Sequence, residues 1–420
     1  GWNPWAVRLP NVLAYLGVVL LLLRIGRHFA PQRPWLPALV YATLPLPLLA
    51  AHVVTTDTPL AFATTLAMAA YVIARFEQRP GWVIVMWAGF GLALLTKGPP
   101  GLVGLLPILC FQWLSPGGPR LMTPAGLGMF ALVALPWYLV VVQRHEGLLG
   151  YFIGYEVVAR IASHVHNRHP EWWGGLYVYG TTFALGALPW WPWAWAAGRR
   201  AGWRWSQASE PTRLLVLWLA TALLVFMVSR SRLPLYVLPL FAPLALLIAR
   251  QLDGAAFTRS RRIAIAGFAA AVVGIKLMAA SLPKLVAYLP PDTADRVPLH
   301  KNARLWADSL RAMAPGPITE VVFVDDMARY GLHLYLRAEV QKTTFDGDMA
   351  DKPISDAAFD TVLVDVLREP PRQGRIFVMR AGNAMRFEAA AAASGRELRR
   401  LGELRGRVVY AVVPSVEQAD

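Results

Sequence analysis

Two ionisable residues stand out in the first 290 residues because so few carboxylates are there. Asp57 and Asp253 are the only aspartates in that stretch. Asp57 sits in Thr55-Thr56-Asp57-Thr58-Pro59, at the mouth of an apolar run. A carboxylate there can accept a proton from an attacking hydroxyl. It can also serve as a helix N-cap, with Pro59 in the first turn. Lys97, in Leu94-Leu95-Thr96-Lys97-Gly98-Pro99, lies between two apolar runs. Its ammonium can bind a lipid phosphate at headgroup depth, or snorkel to the interface as helix-end lysines do. Arg230 and Arg232 flank Ser231 just before Leu233-Pro234-Leu235-Tyr236. Guanidinium groups grip phosphate through paired hydrogen bonds, and Tyr236 adds a hydroxyl donor. The alternative for this group is a basic anchor in an interfacial aromatic belt.

The segment 144–173 adds His164, His166, Arg168 and Glu171, followed by Trp172-Trp173. His164 and His166 can ligate a metal together with a carboxylate. Arg168 is the better motivated residue of this segment, as a phosphate ligand. Lys276, inside the last apolar run, reads as a snorkelling residue.

The elements that must position these groups are membrane spans. Of the 420 residues 56% are hydrophobic and 16% charged, with mean hydropathy +0.42. A soluble domain carries about 25% charged residues, so disordered chains, coiled coils and ordinary cytosolic enzymes are excluded. Runs of the length a bilayer requires fall near 9–30, 34–52, 57–75, 81–97, 98–115, 123–143, 174–197, 211–229, 233–250 and 263–283, about ten in all. Prolines such as Pro45, Pro47, Pro107, Pro189 and Pro192 are tolerated inside a bundle, and Thr96–Gly101 reads as a tight turn.

Charge and tryptophan divide the chain near Leu289-Pro290-Pro291. Residues 1–290 hold 23 Lys/Arg against 7 Asp/Glu and 16 of the 17 Trp; residues 291–420 hold 18 against 19. This predicts a transmembrane helical domain over 1–290 and a small soluble α/β domain over 291–420. Buried strands are expected at 320–324, 361–365, 375–379 and 408–413, and helices at 326–336 and 384–395. Asp325 and Asp326 end a strand, where ligands often bind in α/β sheets, although a turn or cap is the commoner role. The net charge of +15 reports Arg beside lipid and carries no nucleic-acid signal. Cys110 is the lone cysteine, which excludes an internal disulfide and a cysteine-based zinc site.

Loop arginines orient the bundle. One set of loops holds 14 Lys/Arg and the opposite set 7. The richer set is predicted to be cytoplasmic. Asp57, Lys97, the segment 144–173, Arg230 and Arg232 then share the outer face with the C-terminal domain, which in a Gram-negative inner membrane is the periplasm.

Thr56-Asp57-Thr58-Pro59-Leu60, Gly91-Leu92-Ala93-Leu94-Leu95-Thr96-Lys97-Gly98-Pro99 and Arg232-Leu233-Pro234-Leu235-Tyr236-Val237-Leu238-Pro239 occur in that order. In this the chain resembles the glycosyltransferase 39 superfamily of polytopic GT-C enzymes, on the side of the aminoarabinose transferases (ArnT-like) that modify lipid A. Protein O-mannosyltransferases are more distant relatives. The resemblance implies transfer of a sugar from a polyprenyl-phosphate donor to a lipid, glycan or protein acceptor at the outer face. It implies an acidic role for Asp57 and donor-phosphate contacts from Lys97, Arg168 and Tyr236. It requires no nucleotide or other cofactor, and dependence on a divalent cation stays open. Family members carry their main acidic motif in a loop ahead of the segment that opens here at Gly1-Trp2-Asn3-Pro4, so a truncated chain lacking that acid is expected. A polyprenyl-linked sugar flippase and a non-catalytic GT-C-like assembly protein are the competing readings.

Overall fold

The computed structural model describes residues 3–145, 148–150, 152, 171, 173–201, 208–229, 232–255, 258–286, 302–345, 361–370 and 372–412. The chain divides into two units, one over Trp5–Lys276 and the other made chiefly of Leu277–Asp420.

The first unit is helical. Its helices are α1 (Pro4–Ile25), α2 (Leu36–Thr43), α3 (Pro45–Ala50), α4 (Asp57–Phe76), α5 (Trp82–Lys97), α6 (Leu105–Leu114), α7 (Pro124–Arg144), α8 (Gly174–Gly186), α9 (Trp190–Ala201), α10 (Glu210–Val228) and α11 (Phe241–Leu252). The helix α12 (Arg259–Val286) runs on from it. Among the described residues, five stretches are long and apolar enough to cross a membrane: Pro4–His28, Asp57–Phe76, Pro124–Arg144, Glu210–Val228 and Pro234–Leu252. Shorter apolar helices cover Trp82–Lys97 and Pro99–Leu114.

The apolar run at 34–52 is broken rather than continuous. Leu44 takes an extended backbone (φ −67°, ψ 129°), as the residue before a proline prefers, and Pro45 opens α3. The run at 174–197 is likewise two helices, separated at residues 187–189. At Gly98 the backbone turns left-handed (φ +67°), which ends α5 and starts a 3-10 turn at Pro99–Leu102.

α4 and α5 form the antiparallel pair on which the site is built. α4 is rich in alanine on its buried face, including Ala63, Ala67, Ala70 and Ala74. A Cβ placed on Gly89 of α5 would come within 2.7 Å of the Ala67 nitrogen and 3.0 Å of the Ala63 oxygen. Only small residues allow two helices to come this close in an apolar medium. Leu132 and Leu139 of α7 and Leu20 of α1 are exposed, as lipid-facing positions are.

At the end of α4 away from Asp57, the acids bind arginine loops together. Glu77 accepts two hydrogen bonds from Arg24 at 2.7 and 2.8 Å, and it pairs with Arg27 at 2.6 Å and His28 at 3.0 Å. Arg24 above all holds the Glu77 carboxyl far below the usual carboxylate range; burial opposes this, and Arg27 and His28 reinforce it. Asp253 accepts the backbone N–H groups of Gln32 and Arg33 at 3.1 and 2.9 Å. Glu210 pairs with Arg75 at 3.2 Å.

The second unit carries a six-stranded sheet in the order β3-β2-β1-β4-β6-β5. Its elements are α13 (Ala303–Met313), β1 (Glu320–Val324), α14 (Gly331–Leu336), β2 (Glu339–Thr344), β3 (Thr361–Val362), α15 (Leu363–Arg368), β4 (Arg375–Arg380), α16 (Ala384–Ala393), β5 (Leu398–Leu404) and β6 (Arg407–Val412). β2, β1 and β4 are parallel; β6 runs antiparallel to β4 and β5. The strand expected at 361–365 yields only Thr361–Val362, after which the chain turns helical. The helix expected at 326–336 is confined to Gly331–Leu336. β2 and β5 were not foreseen. Both carry charged or polar residues along much of their length (Glu339, Gln341, Lys342; Arg399, Arg400, Glu403), so neither shows a buried apolar run.

One sheet face packs Trp306, Leu310 and Leu332 from α13 and α14 against Val321, Phe323, Ile376 and Val378. The other packs Leu363, Val366 and Leu367 from α15 and Phe387 from α16 against Val322, Val324, Phe377 and Met379. Arg375 crosses the edge of this core. It donates to Glu320 and Glu369, each at 2.6 Å, and both Arg375 and Glu320 are buried. Arg375→Ala takes from buried Glu320 its 2.6 Å partner and leaves the half-exposed Arg372 at 3.6 Å, a change that costs about 3 kcal/mol, the lower end for a broken buried pair. Hydrogen exchange at the amides of β1 and β4 should quicken accordingly, and unchanged protection would contradict the assignment.

Candidate functional site

Asp57 opens α4, Lys97 closes α5, and the tight antiparallel packing of the two helices puts these ends side by side. Lys97 Nζ donates to Asp57 Oδ1. Asp57 is 6% exposed, and the Lys97 side chain 21%. The pairing also suits the helix dipoles, since an anion at an N-terminus and a cation at a C-terminus are each stabilised. The N-cap role for Asp57 does not hold. Asp57 is the first helical residue, Thr56 precedes it, and no side-chain cap is made. Its carboxylate faces Lys97 instead.

Tyr236 completes the group. It lies in the 3-10 turn Pro234–Leu240, and the Lys97 ammonium sits 4.5 Å from the centre of its ring, within cation–π range. A carboxylate, an ammonium and a phenol thus converge from three elements distant in sequence.

Several neighbours fix this geometry. Asn11 of α1, itself buried, donates to the carbonyls of Val53 at 2.5 Å and Thr55 at 3.1 Å, tying down the strand of chain that leads into Asp57. Tyr138 of α7 donates to Leu94 O at 3.1 Å, one turn before Lys97. A Cβ on Gly101 would strike the carbonyl of Ala93, so the turn after Lys97 folds back tightly on α5. At Gly98 a Cβ would meet nothing within 4 Å; the backbone beside Lys97 is open to an approaching ligand. Asn11 and Tyr138 escaped the sequence reading. A buried asparagine in an otherwise apolar run was the one available signal.

Arg232 is buried and donates to the carbonyls of Glu171 at 2.9 Å and Met227 at 3.0 Å. The second of these satisfies the last turn of α10. Its guanidinium packs against Gly175, 3.3 Å from the position of a Cβ there. Arg232 stands two residues before the 3-10 turn that carries Tyr236, on the flank of the site. Arg168 and Arg230 lie outside the described residues, as do His164 and His166. Among the described residues, no group of three or more His, Cys, Asp or Glu side chains could hold a metal ion. Lys276 donates to Leu48 O and to His52 Nδ1, the latter at 2.6 Å.

The arrangement can do two things chemically. An ammonium shared between a carboxylate and an aromatic face can be drawn to a phosphate dianion, and its departure frees the carboxylate to take a proton. Asn11→Ala removes the side-chain donor from the Thr55 carbonyl and one of two donors from the Val53 carbonyl, which still accepts from Thr55 N–H at 2.9 Å, so each lost bond costs about 0.5–1.5 kcal/mol. Amide exchange at residues 55–60 should then rise while that at α11 stays unchanged.

Residues 1–143 match the family model described as dolichyl-phosphate-mannose-protein mannosyltransferase. The chain is 32% identical over 271 residues to an undecaprenyl phosphate-alpha-4-amino-4-deoxy-L-arabinose arabinosyl transferase of Sodalis glossinidius, covering 59% of this chain and 45% of that protein. Its likeness to the transferase of the same name from Pseudomonas paraeruginosa is 31% over 265 residues, covering 60% and 46%. The chain spans about half the length of the curated relatives it matches. In fold it is similar to the crystal structure of ArnT from Cupriavidus metallidurans bound to undecaprenyl phosphate, with TM-score 0.70, 20% identity, and coverage of 98% of this chain and 84% of that one. The apo form of that protein gives TM-score 0.67. A polytopic helical membrane body with a small α/β unit is therefore the shared architecture.

Proposed function

We propose that this ArnT-like GT-C membrane protein transfers a sugar from a polyprenyl-phosphate donor to a hydroxyl acceptor at the outer face of a bacterial inner membrane. The observation that carries this reading is the convergence of Asp57, Lys97 and Tyr236 at one end of the α4–α5 pair. The names of the relatives support the donor class, since they are undecaprenyl-phosphate arabinosyl transferases.

In the reaction the acceptor oxygen attacks the anomeric carbon and the carbon–oxygen bond to phosphate breaks. The leaving phosphate gains negative charge. Lys97 moves from Asp57 to that phosphate and stabilises the charge, with the Tyr236 hydroxyl as a further donor. Arg168 and Arg230 are proposed as additional phosphate contacts, and Arg232 as a residue that shapes the flank. Asp57, released from its partner, serves as an acid–base group or holds the acceptor hydroxyl. The donor already carries an activated sugar, so no nucleotide is consumed. Lipid A, another glycan and protein hydroxyls are all chemically competent acceptors. The arginine-rich loops around Glu77 and Asp253 support a cytoplasmic placement for that end of the helices, and a periplasmic α/β unit is part of this proposal.

Membranes carrying the protein, given radiolabelled polyprenyl-phosphate sugar, should transfer label. Asp57→Asn and Lys97→Ala should each lower the rate by about 100-fold or more. Equal rates in both variants and wild type would remove these residues from the site. A topology reporter at Gly316 should read as periplasmic and one at Arg262 as cytoplasmic; the reverse defeats the orientation.

A further inference from the structure

The polar unit contains a second cluster of ionised groups, unrelated to Lys97. Its place follows from the strand order. From β1 the chain passes through α14 on one sheet face to β2. From β4 it passes through α16 on the other face to β5, on the far side of β4 from β1. The two connections leave β1 and β4 in opposite directions, so their carboxyl ends form the topological switch point. That is where open α/β sheets leave a crevice for ligands.

The residues at this crevice are cationic. Asp326, just past β1, is buried and accepts from Arg407 Nε at 2.7 Å and from Arg380 Nε at 3.4 Å. Arg380 ends β4 and stands directly opposite Arg407 of β6 in the antiparallel register. Like charges facing each other across strands are unfavourable. Arg329 sits over Trp306, its guanidinium carbon 4.1 Å from the ring centre. Arg407 donates to the Arg405 carbonyl at 3.2 Å. Burial first, and then the fields of Arg407 and Arg405, push the Arg329 guanidinium downward, while Asp326 opposes them. Asp326 itself is held below its ordinary range: burial works against ionisation, and the bonds from Arg407, the Met327 N–H and Arg380 overcome it.

Among the described residues, the guanidiniums of Arg329, Arg380 and Arg407 gather around the Asp326 carboxylate, so cations outnumber anions in the cluster. The crevice is also open. A Cβ on Gly382, directly after β4, or on Gly406 would meet nothing within 4 Å. Met327 and Tyr330 on its rim are 74% and 63% exposed. We infer that the switch point between β1 and β4 is an anion site for a phosphomonoester, with Arg329 and Arg380 as its ligands and Asp326 and Trp306 as the groups that aim them. A phosphomonoester carries about two negative charges and three acceptor oxygens. Planar guanidinium forks match that geometry and a single ammonium does not. The ligand is either a soluble phosphate ester or the headgroup of a phosphomonoester lipid, and this site stands whatever the role of Lys97.

The test is equilibrium dialysis of the full chain in detergent against radiolabelled inorganic phosphate. It uses wild type, Lys97→Ala, Arg380→Gln and Arg329→Ala. Wild type and Lys97→Ala should share a binding step that Arg380→Gln and Arg329→Ala each weaken by at least about tenfold. The Arg380 side chain is 67% exposed, so its replacement leaves the sheet intact; hydrogen exchange at β1 and β4 checks this. Glucose 1-phosphate and short-chain phosphatidic acid then compete for the bound phosphate. The stronger competitor identifies a soluble or a lipid source. Absence of phosphate binding by wild type, or binding equal in wild type, Arg380→Gln and Arg329→Ala, would overturn the inference and leave the cluster as a structural ion network.

Discussion

The membrane part of this protein depends on the close packing of α4 and α5. Two helices meet along alanines and Gly89 with almost no side chain between them. In an apolar surround, association cannot draw on release of water from hydrocarbon, so van der Waals contact between backbones supplies the attraction. That contact fixes the helix register. The register decides that the first residue of one helix and the last of the other lie together. Asp57 and Lys97 are paired for this reason, and neither would be tolerated alone so close to lipid.

The same helix separates two kinds of electrostatics. α4 has 20 residues and so spans about 30 Å, the thickness of a hydrocarbon core. At one end, Glu77 draws Arg24, Arg27 and His28 into a saturated network that clamps α1 to α4. At the other end, a single ion pair lies beneath an aromatic ring with open backbone beside it. A saturated network resists a ligand. A lone pair with one mobile ammonium can exchange its partner for a phosphate. Under the proposed function, this contrast separates a structural end from a reactive one.

The polar unit follows a different logic. Its core is two apolar layers on a mixed sheet, and its charges sit at the sheet's ends. The network of Arg375, Glu320 and Glu369, joined by Arg372 and Glu339, lies at the start of β1 and β4; Arg375 and Glu320 are buried in it, and its acids outnumber its bases three to two. The cluster around Asp326 lies at the opposite ends of these strands and carries more cations than anions. Strand polarity thus places a closed ion network at one edge and an open cationic crevice at the other.

Composition and apolar run length determined that the chain is a polytopic membrane protein with a polar C-terminal unit. Scarcity of acids singled out Asp57, and three short motifs drew Lys97 and Tyr236 to attention. These properties are local, and a local pattern suffices to show them. Breaks at Leu44 and at residues 187–189 were hidden because hydropathy does not register where a helix stops. β2 and β5 were hidden because charged and polar residues interrupt their apolar positions. Pairing is a matter of tertiary structure. That Asp57 faces Lys97 instead of capping its helix, that Arg232 binds carbonyls, that Asn11 holds the approach to α4, and that Arg380 meets Arg407 across a strand pair all join residues far apart in the chain. Their contacts depend on helix register and strand order, which are set by backbone packing over the whole unit and leave no mark on neighbouring residues.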